Sequence, residues 1–299
     1  AEVDLPALKL ALASRLRGTP TRIHLDDYEL DIGDSTATGR FSWDAAGDRP
    51  RLAFSLLADR LDLRGAFPQP SPENGGFEAG PDGRVIPDTP LPLAWLDDID
   101  GTLDIEIGEL TTDRRLVRDI RIDASLGDSA LQVTRYRSEG IAGAIDARGR
   151  AALIDDERVD VELELVARDL MPARDDWLKA DPATLPRINA LGEARATGAS
   201  LRELAANLNG RLRIAASEGT LPGQGLGALN AALLEQIFSI LVPGLAAREP
   251  TELRCFATDL HITDGLVRPQ PIIALHTSKL TVISTGTINL KDEKIDLQF

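Results

Sequence analysis

The chain alternates. Val159, Val161, Leu163, Leu165 and Ala167 are interleaved with Asp160, Glu162 and Glu164. Leu103, Ile105 and Ile107 are interleaved with Asp104 and Glu106, and Ile120, Ile122, Ala124 and Leu126 with Arg121, Asp123 and Ser125. Leu260 and Ile262 flank His261, and Leu280, Val282 and Ser284 lead to Ile288 and Leu290. Successive strand side chains point to opposite faces, so each run predicts a strand with one apolar and one wet face. A sheet wet on one side is antiparallel rather than doubly buried and parallel. The predicted class is therefore mainly β.

A longer pattern recurs. Stretches starting at Gly39, Gly149 and Gly286 each read as a short strand, a charged turn (AAGDRP, DDER, KDEK) and a second strand. These turns predict hairpin loops. The copies are spaced too widely and unequally for a short-period solenoid. The third copy stops at Phe299, so the C-terminal boundary reads as artificial.

Helical spacing occurs twice. Ser200 as N-cap with Glu203 three residues on forms a capping box, and Gly210 supplies the stop, for a helix near 200–209. Leu226, Leu229, Leu233, Ile237, Ile240 and Leu241 predict a second amphipathic helix over 226–242, ended by Pro243-Gly244. Its Asn230, Glu235, Gln236 and Ser239 make it too polar to cross a bilayer. Dense Pro and Gly over 67–92 predict an extended linker. The organisation expected is an upstream β segment over 1–66, the linker over 67–92 and a β region over 93–299.

Charge narrows the functional classes. Lys plus Arg number 33 and Asp plus Glu 48, a formal charge of −15. Nucleic-acid binders gain affinity by neutralising phosphates, so nucleic acid is not the expected partner. The one cysteine and three histidines nearly exclude a Cys/His zinc site.

Each chemical motif has a plainer reading beside it. Gly223, Gly225 and Gly227 lie at the start of the second helix but lack a P-loop lysine and βαβ context, so they read as a hinge. Asp97-Asp98-Ile99-Asp100-Gly101 hints at a calcium loop but lacks the spacing of an EF-hand, so it reads as a solvated turn. His24, His261 and His276 are scattered, and no nucleophile elbow accompanies them. Acid pairs such as Asp26-Asp27 and Asp155-Asp156 read as solubilising charges. Cys255 alternates with Leu253 and Ala257 and reads as a packed thiol. No catalytic residue, cofactor or metal is expected.

The apolar strand faces remain: Leu103, Ile105, Ile107, Ile120, Ile122, Val159, Val161, Leu163, Leu165, Leu260, Ile262, Leu280, Val282 and Ile288. Two helices are little cover for so much Leu, Ile and Val. A sheet with too little cover closes, stacks or binds something apolar.

Four stretches carry a family resemblance: RVIPDTPLPLAWLDDIDGTLDIEIGEL (84–110), GASLRELAANLNGRLRIAASEGTL (198–221), TELRCFATDLHITDGLV (251–267) and KLTVISTGTINLKDEKIDL (279–297). In pattern and order they resemble the C-terminal region of the AsmA family, whose larger members resemble bridge-like lipid-transfer proteins. The resemblance implies an elongated, curled sheet with a hydrophobic groove. It also implies a periplasmic protein held in the Gram-negative inner membrane by an N-terminal helix outside this stretch. Phospholipid would then be the ligand, outer-membrane assembly the process and envelope proteins possible partners. The alternative is a β scaffold that assists outer-membrane protein assembly without carrying lipid.

Overall fold

The computed structural model describes residues 10–19, 21–64, 83–93, 95–112, 116–140, 143–171, 181, 183–221 and 251–298. The predicted helix over 226–242 and the glycine-rich segment before it lie outside them.

The fold is mainly β and falls into two compact units, Ala1–Gln69 with Pro92–Asp156, and Pro70–Leu91 with Glu157–Phe299. The first holds β1 (Leu10–Thr19), β2 (Arg22–Ile32), β3 (Ser35–Asp44), β4 (Arg51–Asp62), α1 (Trp95–Asp98), β5 (Asp100–Thr111), β6 (Leu116–Gly127), β7 (Ala130–Gly140) and β8 (Gly143–Leu153). Its strands lie side by side in chain order, open rather than closed into a barrel. The pairs are antiparallel except β4 with β5, which is parallel with Leu56 opposite Ile105. A hairpin cannot join parallel strands, and the long connection between Asp62 and Asp100 provides the return.

The second unit holds β9 (Val159–Leu170), β10 (Ile188–Gly198), α2 (Leu201–Ala206), β11 (Asn209–Ala216), β12 (Gly219–Leu221), β13 (Thr251–Thr263), β14 (Leu266–Thr277), β15 (Thr281–Asn289) and β16 (Lys294–Gln298). The strand order is β9-β10-β11-β13-β14-β15-β16, with β12 paired to β13. All described pairings in this unit are antiparallel.

Tight turns sit where the sequence tolerates positive φ. Asp128 and Ser129 join β6 to β7 at φ 51° and 56°, and Asp264 with Gly265 join β13 to β14 at 47° and 72°. Two consecutive positive φ values match the right-handed twist of a hairpin. The expected AAGDRP and KDEK loops join β3 to β4 and β15 to β16.

Bulges punctuate the ladders. Asp26 and Asp27 oppose Arg40 alone, Asp119 and Ile120 oppose Ser138, and Arg168 and Asp169 oppose Asn189. At each, an aspartate takes positive φ: Asp27, Asp119 and Asp169. Among non-glycine residues, Asp is one of the few that visit this region readily.

Three expectations need correction. Cys255 is exposed, not packed. A register shift between Leu253 and Cys255 inverts the alternation, so Phe256, rather than Cys255, joins buried Leu253 in the core cluster. Leu280 precedes β15 and accepts hydrogen bonds from Thr277 through its carbonyl, although its side chain still packs beside Val282. The first predicted helix ends at Ala206, not 209, capped by Asn207, and Gly210 lies in β11.

Candidate functional site

In the first unit one face is continuous and apolar. Leu56, Ile105, Ile122, Tyr136 and Ala147 lie side by side across β4 to β8. Beside them run Phe41, Phe54, Leu103, Ala124 and Val133, then Trp43, Leu52, Gly101, Leu126 and Leu131. Tyr28 stacks on Phe54 with ring centroids 6.1 Å apart and donates its hydroxyl to the Ser55 carbonyl. Burial pushes the Tyr28 phenol above its ordinary pKa. At one strand end Ala37, Ala58, Leu61, Ile107 and Ile120 form a buried cluster, and Ile105 and Ile122 pack against it. Leu103 remains half-buried.

The second unit repeats the arrangement. Leu163, Ala194, Gly210, Ile262, Val267, Ile288 and Ile295 form one row. Leu165, Gly192, Leu212, Leu260 and Pro269 form the next, then Ala167, Ala190, Ile214, Thr258, Ile273 and Ser284. Val161 stands opposite Ala196 and Val159 opposite Gly198. The candidate residues Val159, Val161, Leu163, Leu165, Leu260, Ile262, Val282 and Ile288 thus share one face, as Leu103, Ile105, Ile107, Ile120 and Ile122 do in the first unit.

Both strand ends of this second face are covered. A Cβ added to Gly198 would lie 2.7 Å from Glu203 Cβ and from the Leu204 nitrogen, so α2 folds directly onto the apolar side of β10. Beneath that end Val159 is 2% exposed and Ile288 7%. At the other end Leu185 and Pro186 turn inward. A Cβ on Gly219 would meet the Pro186 nitrogen at 2.3 Å, and Leu185 packs with Leu253 and Leu275. Between these rims Leu165, Leu212, Leu260 and Ile214 are only half-buried, and Leu163 is 45% exposed. The described strands form no second layer over them. Among the described residues the result is a shallow apolar trough running across the strands of this unit. The Thr258 hydroxyl, on the trough face between Ile214 and Ile273, finds no hydrogen-bond partner among the described residues.

The opposite faces carry charge. Arg121 meets Glu106 at 2.7 Å, Arg135 meets Asp123 at 3.2 Å, and Glu109 accepts both Arg60 and Arg118 at 3.2 Å. In the second unit Arg195 pairs with Glu162, and Arg211 Nε donates to Asp259 at 2.7 Å. That hydrogen bond holds the Asp259 carboxyl below its ordinary pKa. His261 sits on this wet face, 3.4 Å from Asp259.

The strand pattern alone passes over most of the trough positions, including the whole of β10. The inward positions of β10 are Ala190, Gly192, Ala194, Ala196 and Gly198, small residues alternating with Leu191, Glu193, Arg195 and Thr197. Their alternation was available, but without large side chains it carries little hydrophobic signal. Asp97 and Asp100 of the calcium-like sequence both approach Arg49, at 3.6 and 3.5 Å.

The arrangement offers apolar contact area on one face and paired charges on the other. A protein profile described as the AsmA family matches residues 9–272. The chain is similar to the AsmA family protein YhjG of Escherichia coli (strain K12), at 24% identity over 286 residues, which is 89% of this chain. It spans 40% of that relative's length. No solved structure matches the chain. The profile covers most of the strands that build both apolar faces, and the chain belongs to the AsmA family.

Proposed function

We propose that this chain is a periplasmic, non-enzymatic part of an inner-membrane-anchored protein that binds phospholipid acyl chains on its apolar strand faces. Its role would be lipid movement toward the outer membrane and assembly of that membrane, with envelope proteins as partners. The observation that carries the reading is the trough of the second unit. Leu165, Leu212, Leu260 and Leu163 stay half-exposed or exposed although they belong to a continuous apolar face with covered ends. Family membership favours a role in envelope biogenesis.

The physics suits acyl chains. Aliphatic rows make no directional demands on a hydrocarbon, and each CH₂ removed from water contributes about 0.8 kcal/mol. Headgroups would remain in water at the rims. The formal charge of −15 disfavours a flat anionic membrane as the binding surface, so lipid must enter the trough rather than the chain adsorb to a bilayer. Native mass spectrometry of protein extracted gently from an envelope fraction tests this. Co-purified phospholipid is expected. A stable chain that stays empty after incubation with phospholipid vesicles would favour the lipid-free scaffold.

A further inference from the structure

Residues 84–91 have the composition of a linker, yet they are fastened at both ends to the second unit. The Val85 and Ile86 amides donate to the two carboxylate oxygens of Glu293 at 2.6 and 3.1 Å, and Arg84 donates to the Lys291 carbonyl at 3.3 Å. These partners lie in the turn between β15 and β16. The next residues hold α2. The Ile86 carbonyl accepts from Arg202 Nε at 3.1 Å, and the Pro87 carbonyl accepts from the Arg202 amide at 3.1 Å. Asp88 accepts from the Ser200 hydroxyl at 2.8 Å and from Arg202 Nη1 at 3.3 Å, and the Leu91 amide donates to the Ala199 carbonyl at 2.8 Å.

The strap therefore joins the β10–β11 connection to the β15–β16 turn through Val85, Ile86 and Pro87. In a flat sheet those points would stand four strand spacings apart, about 19 Å. Val85 to Pro87 spans at most about 7 Å. With a hydrogen bond at each end and the Glu293 side chain, the stretched tie reaches only about 17 Å. We propose that the strap is a tie that limits how far this rim of the trough can open, and so sets the girth of the ligand it admits. This rests on the acyl-chain reading of the trough. Glu293 is the fastening at one end and Arg202 with Asp88 at the other. Between them the Gly265 turn is bonded to its neighbours on both sides, its amide to the Leu208 carbonyl and its carbonyl to the Leu290 amide. Tension on the tie therefore passes from the β10–β11 connection through the Gly265 turn to the β15–β16 turn.

The test places spin labels at Leu201 and Lys291, both exposed, in a Cys255→Ser background, and reads their separation by pulsed electron resonance. With the strap intact, one narrow distance distribution is expected, and a broad one overturns the proposal. In Glu293→Ala/Asp88→Ala the mean distance should lengthen by at least about 2 Å, the gap between the stretched tie and the flat-sheet separation. An unchanged distance, with the Val85 and Ile86 amides exchanging faster, also overturns it. Glu293→Gln keeps one acceptor and should give a smaller lengthening if the double variant does not fold. The ratio of bound dioleoyl phosphatidylethanolamine to monooleoyl phosphatidylethanolamine, both without net charge, should rise at least twofold on loosening. If the intact chain binds neither lipid, the acyl-chain reading fails, while the distance measurement still judges the tie.

Discussion

Leu163 and Glu162 are neighbours whose side chains point in opposite directions, and the difference can be read in their surroundings. Leu163 stands beside Ala194 on the trough face and is 45% exposed, whereas Glu162 pairs with Arg195 on the charged face. Leu163→Arg should leave the melting temperature within about 3 °C, because its long side chain can reach water from a position already half open. It should at the same time lower bound lipid several-fold. A sealed position would instead lose several kcal/mol to an unpaired buried charge. Glu162→Arg on the charged face should leave lipid occupancy unchanged, at a stability cost within about 1 kcal/mol. Calorimetry and lipid quantification on both variants check the pair. A collapse of the Leu163 variant would show that the trough is closed there.

Single residues also mark where the sequence misleads. Leu253, Cys255 and Ala257 read as one face, and the register shift after Leu253 breaks that face in two. The bulges in β2, β6 and β9 each carry an aspartate at positive φ, a visible cue. The shift in β13 has no such residue, so the alternation reads straight through it.

At the scale of elements, α2 is held less by its own length than by what touches it. Six residues are too few for a helix to persist alone. The Ser200 hydroxyl accepts from the Glu203 amide at 3.2 Å, and the Glu203 carboxylate accepts from the Ala199 amide at 2.9 Å. The capping sequence was legible for that reason: Ser and Glu three apart satisfy amides that the first turn leaves free. The seat on Gly198 was not, because close approach leaves no pattern in one chain. Gly198→Val should therefore push α2 off its seat and destabilise the second unit by about 1–3 kcal/mol through overpacking. Denaturant titration measures the cost, and faster amide exchange at Asn207 would locate it. The strap was hidden for a related reason. Most of its fastenings involve backbone groups, and its Pro-rich composition reads as a spacer.

For the whole molecule, acid is the revealing variable. Arg64 Nε lies 2.9 and 3.0 Å from the two oxygens of Asp62, and this contact, helped by the Arg64 amide, holds the Asp62 carboxyl at about 2. Asp44, bonded by the Ala46 amide and Arg22, and Asp259, bonded by Arg211, are lowered in the same sense. An unfolded Asp carboxylate titrates at about 3.9. A depressed folded pKa stabilises the fold above the unfolded value, and the contribution disappears as pH falls through the folded one. Stability should thus be flat from neutral pH to about 5 and fall between about 4 and 2. Asp62→Asn should flatten part of that fall, and urea titrations across the range measure it. A loss of stability beginning at pH 6 would point to other groups.

The inverted register of β13 leaves a practical opening. The sole cysteine of the chain faces solvent, with its thiol turned away from the rows between α2 and Leu185. A maleimide dye would therefore attach once per molecule and leave the trough unobstructed. Single-molecule fluorescence could then follow individual chains as they meet vesicles, with no residue replaced.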